Sequence, residues 1–289
     1  LLVVDFGFAP SDVATFLNDG LAKRLEAEGY VQSIRLLQQT LQLESGDLVK
    51  LMGGGLACRL HEASYRDALV DFVRVFGFSP SQAVTVLHGD STSKRVEKAA
   101  FRSALRDLKQ RLNLSTPQLT TLMGSSLACR VERSEFRSTL VSFIDDMDFS
   151  LSQAVTVLKD SSTTKRVEET AFRAALIVVQ RRLHLSPAQL TTFMNNSVAK
   201  RVQKESFRTA LYTFCDTFEF TPVQTTKCMK GSLACRLEDD STIPAMRWLL
   251  ARMQLETIVR FQNSFWEAID PKFDNLYQRV LTLLLDEYG

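Results

Sequence analysis

Seven stretches of this chain repeat one another every 35 or 36 residues, and no other feature limits its possible folds as much. The aliphatic anchors are Leu25, Leu60, Val96, Val131, Val167, Val202 and Leu237, separated by 35, 36, 35, 36, 35 and 35 residues. An aromatic residue or Leu opens each stretch: Phe8, Leu43, Phe78, Leu114, Phe149, Leu185 and Phe220. The copies also alternate. Those at Phe78 and Phe149 share Ser-Gln-Ala-Val-Thr-Val-Leu, whereas those at Leu114 and Leu185 share Gln-Leu-Thr-Thr. The larger period is therefore 71 residues, a pair of copies. A fixed period of this length means one supersecondary unit stacked on its own copies.

Each unit reads as two helices. Pro10, Pro80, Pro117, Pro187 and Pro222 lie two or three residues after an opener, beside Ser or Thr. That is an N-cap with first-turn Pro, so a helix starts there. It runs to Leu87, Met123, Leu158 or Met194, where small polar residues such as Gly89-Asp90-Ser91 and Asp160-Ser161-Ser162 stop it. A longer second helix follows. Phe136, Leu140, Phe143, Ile144 and Met147 form its apolar stripe at helical spacing. Sustained alternation with period two is absent, so the expected class is all-α. The expected organisation is seven tandem hairpins in 71-residue pairs over 1–240, as paired lobes or an α-solenoid, followed by a divergent helical cap over 241–289. Pro244 is expected to break the last copy's second helix.

Composition narrows the class further. Hydrophobic content of 45 % is enough for a core and excludes wholesale disorder. No apolar run reaches the roughly 20 residues of a membrane-spanning helix. Five cysteines make a poor disulfide framework, and Cys58, Cys129 and Cys235 share one register, which points to packing roles. A reducing intracellular compartment is the expectation, and import with a cleaved presequence is the alternative.

The stretch Ala128–Leu140 resembles the second half of an EF-hand. Val131, Glu135 and Phe136 match the aliphatic eighth, acidic twelfth and aromatic thirteenth places of that motif. Aromatics recur five residues after the aliphatic at Tyr30, Tyr65, Phe101, Phe136, Phe172 and Phe207. The metal ligands depart from the pattern: Gly124, Ser126, Ala128 and Cys129 stand where carboxylates and Gly belong, and Ala171 replaces the twelfth-place Glu of another copy. The resemblance thus implies a degenerate, metal-free member, with a weak calcium response as an alternative. The stretch from Leu185 is also similar to the repeat of the transcription-activator-like effectors. There Asn196-Ser197 would take the base-reading place and Lys200-Arg201 the backbone-facing pair, while Val198-Ala199 replaces the family's Gly-Gly.

The sharpest chemical feature is an Arg in strict register: Arg24, Arg59, Arg95, Arg130, Arg166, Arg201 and Arg236. Lys precedes four of them, including Lys94, Lys165 and Lys200. Seven guanidiniums at one position could form a track for phosphates or an acidic partner. They could equally be ion pairs, because Glu or Gln follows the aliphatic in six copies (Glu26, Glu97, Glu132, Glu168, Gln203, Glu238). The net charge of +2 favours the ion pairs. His61, His88 and His184 form no metal-ligand spacing, and no nucleophile–base set assembles. The expectation is a non-enzymatic scaffold or accessory subunit with protein partners, without cofactor or metal. A nucleic-acid-binding array is the alternative.

Overall fold

The computed structural model describes residues 3, 6–16, 25, 29–52, 55–124, 126–194, 196–229, 233–251, 254, 255 and 257–259. The chain divides into two compact units, 1–141 and 142–289. Among the described residues every regular element is helical and no strand occurs, as the sequence pattern predicts. No described helix is long and apolar enough to cross a membrane.

The helix starts follow the sequence chemistry. Ser79, Ser115, Ser150, Ser186 and Thr221 each accept the backbone N–H of a Gln three residues on, and that Gln side chain accepts the cap's own N–H. These reciprocal capping boxes satisfy two otherwise orphaned donors at each start. The resulting short helices are Pro80–Leu87, Thr116–Met123, Leu151–Leu158, Pro187–Phe193 and Pro222–Cys228.

The predicted polar loop after them is itself helical. Gly55–Arg59 and Ser126–Cys129 form 3-10 turns, while Asp90–Ser93, Ser161–Arg166, Asn196–Arg201 and Leu233–Arg236 are short α-helices. Each buries a pair of side chains: Leu56-Ala57, Leu127-Ala128, Val198-Ala199 and Leu233-Ala234 in four of them, and the polar pairs Thr92-Ser93 and Thr163-Thr164 in the other two. Asp160 caps its copy by accepting from the backbone N–H groups of Ser162 and Thr163. Four to six residues are too few to show a helical period, so sequence pattern alone misses this third element.

Thr163 stands where Leu127 and Val198 stand in other copies. It is fully buried, and its hydroxyl has no partner among the described residues. A buried hydroxyl without a hydrogen bond costs more than it returns. Thr163→Val keeps the shape and should stabilise the protein by about 1 kcal/mol. A denaturant midpoint at or below that of the parent would contradict this.

The long helices are Tyr30–Leu41, Ala63–Phe76, Ala99–Arg111, Ser134–Asp146, Thr170–Arg182 and Glu205–Thr217. Each is followed by a residue at positive φ: Gln42, Gly77, Asn113, Asp148, His184 and Glu219. The opener then donates its N–H to a carbonyl five residues back, as Phe78 does to Val73 and Leu185 to Gln180. This is a Schellman ending, which places an apolar residue just after the left-handed one. The openers are apolar for that reason.

Aromatic size alternates through the core. In the first unit Phe72 lies 5.7 Å from the opener Phe78 and 6.2 Å from Phe101 of the next long helix. In the second unit Phe143 meets Phe149 and Phe172 in the same way, and Phe214 meets Phe220. Between these, the corresponding residues are Leu108 with Leu114 and Val179 with Leu185, all buried. Copies with Phe at this place are followed by a Phe opener, and copies with Leu or Val by a Leu opener, in step with the alternation of the sequence.

Two expectations are corrected. Pro244 does not break the last helix, because Thr242–Leu250 begins two residues earlier and places it in the first turn. The N–H groups there have no intrahelical acceptor, so Pro costs little. Cys58, Cys129 and Cys235 are exposed rather than packed, since their place in the short middle element faces outward, as Lys165 and Lys200 do. The expected C-terminal helices beyond residue 259, including Trp266, lie outside the described residues.

Candidate functional site: the register arginines

The middle elements bring the register arginines together. Asp90–Ser93 packs against both Gly55–Arg59 and Ser126–Cys129, and Asn196–Arg201 packs against Ser161–Arg166 and Leu233–Arg236. Arg59, Arg166, Arg201 and Arg236 are the last residues of their elements, and Arg95 and Arg130 follow theirs within two residues.

For Arg59, Arg95, Arg166 and Arg201 the partner is the residue after the aliphatic anchor of the next copy. Arg59 Nη1 lies 2.6 Å from Glu97 Oε2, and Arg95 Nε lies 3.2 Å from Glu132 Oε1. Arg166 Nη1 donates to Gln203 Oε1 at 2.8 Å, and Arg201 Nη1 lies 3.2 Å from Glu238 Oε2. Where Gln203 replaces Glu, its own Nε2 donates to Glu169 Oε2 at 2.5 Å, and Glu169 lies 3.7 Å from Arg166. The charge balance is kept by a different carboxylate. Pairing within one copy occurs as well: Arg59 Nη2 reaches Glu62 Oε2 at 2.6 Å, and its guanidinium stacks over Tyr65 at 4.4 Å.

Arg130 and Arg236 are also engaged, as is Lys94. Lys165 and Lys200 are exposed and join no ion pair among the described residues. Arg24 lies outside the described residues.

The electrostatics follow the pairs. The hydrogen bonds that Arg59 donates to Glu62 and then to Glu97 push its guanidinium further toward the charged form. The Ser206 hydroxyl, 2.6 Å from Glu238 Oε1, holds that carboxyl below its ordinary value of 4.5, with help from Lys204 and Arg201. A depressed carboxyl pKa adds stability above the unfolded value and loses it as pH falls through the folded value. Glu238→Gln should therefore cost about 0.5–1 kcal/mol at neutral pH, as a partly exposed pair does. The gap between parent and variant should close as pH drops below 4.5. A gap that widens on acidification would contradict the assignment.

A second arginine series escaped the sequence reading. Arg66, Arg102, Arg137, Arg173 and Arg208 each follow the recurring aromatic directly. Each donates from Nη1 to the carbonyl of the aliphatic anchor six residues back, at 2.7, 3.1, 2.8, 3.2 and 2.9 Å. It ties the turn after the middle element to the long helix. Its fixed offset from the anchor is legible in the sequence, but the carbonyl it serves is set by the turn.

Other candidates hold little chemistry. Among the described residues no group of three or more His, Cys, Asp or Glu could hold a metal ion. His88 Nδ1 lies 2.9 Å from the Lys50 carbonyl. Cys129 Sγ lies 2.9 Å from Ser91 Oγ, and Cys235 Sγ donates to Ser197 Oγ at 3.3 Å. What the register arginines do chemically is join neighbouring copies through charge-assisted hydrogen bonds. Compared with known proteins, the chain matches no family model, no curated protein and no solved structure.

Proposed function

We propose that the chain is a non-enzymatic helical scaffold that holds protein partners within a larger assembly. In this reading it is a tandem array of seven copies in 71-residue pairs, with residues 241–289 as its divergent cap or docking element. The observation that carries the reading is the arginine pairing between successive copies. The guanidiniums are used to fix one copy on the next, which serves a rigid array and leaves few of them for phosphates. Rigid placement of many similar surfaces is what tandem helical arrays provide.

Excision tests the array. Removing residues 79–149 joins Phe78 to Ser150 and recreates the Phe149–Ser150 junction one period earlier. The shortened chain should fold, with helicity per residue unchanged and a denaturant slope lower by about a quarter, since slope follows buried surface. Removing 79–131 instead joins Phe78 to Glu132 out of register and should not fold. Equal behaviour of the two deletions would defeat the array. A titration with single-stranded RNA and duplex DNA at low salt separates the functions. No binding is expected, whereas tight binding that falls steeply with salt would replace the scaffold by a nucleic-acid array.

A further inference from the structure

We propose that the groove beside Ile243 receives an arginine side chain from a basic segment of a partner protein. This deepens the scaffold reading, on which it rests, by naming the chemistry of a partner.

The argument starts from the second arginine series. Five times in this chain, the residue six places after the aliphatic anchor is an arginine bonded to the anchor's carbonyl. Twice the same Nη1 also reaches the next carbonyl: Arg137 reaches Glu132 at 3.1 Å, and Arg208 reaches Gln203 at 2.6 Å. In the copy opened by Phe220 the anchor is Leu237, and the residue six places on is Ile243. An isoleucine side chain donates no hydrogen bond. No described residue donates to the Leu237 carbonyl in its place.

A groove of about 570 Å3 lies at this position, between the helix Glu205–Thr217 and the turn that precedes Thr242–Leu250. Leu237, Glu238 and Ile243 line it, and Glu205, Asp239 and Asp240 add three carboxylates. These three are exposed and join no ion pair among the described residues. The groove is therefore lined by Leu237, the residue whose counterparts accept a guanidinium at their carbonyl, by the apolar Ile243 and by a negative rim. The chain itself shows what fits such a place. Arg208 holds the equivalent sequence position in the copy before, with Nη1 donating to two successive carbonyls. A planar guanidinium can divide its donors between those carbonyls and the rim, which a single ammonium cannot do. Small cations lack the stem that Ile243 would cover. Polyanions are repelled by the rim.

The probe is a labelled tri-arginine peptide, titrated against the full chain by fluorescence anisotropy, with tri-lysine as comparator. Tri-arginine should bind with salt-sensitive affinity, and tri-lysine about tenfold more weakly. Ile243→Arg returns the recurring residue to its place. It should weaken tri-arginine binding by about tenfold or more and raise the melting temperature. Asp239→Asn with Asp240→Asn should weaken binding while leaving melting unchanged. This exposed pair decides the matter if Ile243→Arg does not fold. Absence of binding to the parent chain, equal affinity for the two peptides, or undiminished binding by both variants would overturn the proposal. Failure here leaves the excision and nucleic-acid results standing. Failure of those would remove the scaffold while leaving this groove, since residues 205–243 lie outside the excised segment.

Discussion

Phe72→Ala should destabilise the first unit by about 3–5 kcal/mol, the range for removing a buried aromatic side chain from a packed core. Phe72 has no solvent exposure. Its ring touches three others that come from different places in the chain. Phe76 lies 5.0 Å away on the same helix, Phe78 5.7 Å away at the Schellman ending, and Phe101 6.2 Å away on the next long helix. Three rigid rings cannot collapse far into the space a benzyl group leaves, so the cavity cost is added to the lost transfer energy. Phe72→Leu should cost less, about 1–2 kcal/mol, because a leucine already serves at the equivalent Leu108. Val75→Ala on the same helix, at 43 % exposure, should stay within about 0.5 kcal/mol. Denaturant midpoints at constant slope provide the comparison. If Phe72→Ala lost no more than Val75→Ala, the aromatic cluster would not be the joint between copies.

Much of this fold was legible because its signals are local and repeated. Ser79 with Pro80 and Gln82, or Ser186 with Pro187 and Gln189, spells a capped helix start in four residues. Phe136 to Met147 spells an apolar helical face in twelve, and every residue of that stripe is buried. The unread features depend on other information. The middle elements are too short to have a period. The left-handed endings sit on Gln42, His184 and Glu219 as well as on Gly77, so composition does not mark them. For the register arginines, a single copy offers each a nearby acid, such as Glu62 for Arg59. The partner in the next copy, Glu97, is 38 residues on. Sequence gives the register of both but not which helices lie side by side, and that adjacency selects the partner. Pro244 was misread for a related reason. A proline is harmful or harmless according to the turn it occupies, and the helix start that decides this is set by packing.

Arg137→Met is the second substitution with a large expected effect, about 2–3 kcal/mol, although it alters a charged residue in a chain with many arginines. Two arginine series run through this protein at fixed register, and burial separates their importance. Arg95, in the register series, has 26 % of its side chain exposed, and its pair with Glu132 is shared with Lys98. Arg137 is 14 % exposed and spreads its donors over three acceptors: Asp107 Oδ2 at 2.7 Å, the Val131 carbonyl at 2.8 Å and the Glu132 carbonyl at 3.1 Å. Methionine keeps the apolar stem and removes every donor, so two turn carbonyls lose their partner at once. Asp107 retains Arg111 at 2.7 Å, which limits the loss on that side. Arg137→Lys keeps the charge but offers an ammonium that cannot serve Asp107 and both carbonyls in the same plane, and about half the cost should remain. Arg95→Gln should stay below about 1 kcal/mol. Chemical denaturation of the three variants tests this ordering. If Arg95→Gln proved the more damaging, the register series would be the principal tie between copies, and the inner series would be secondary.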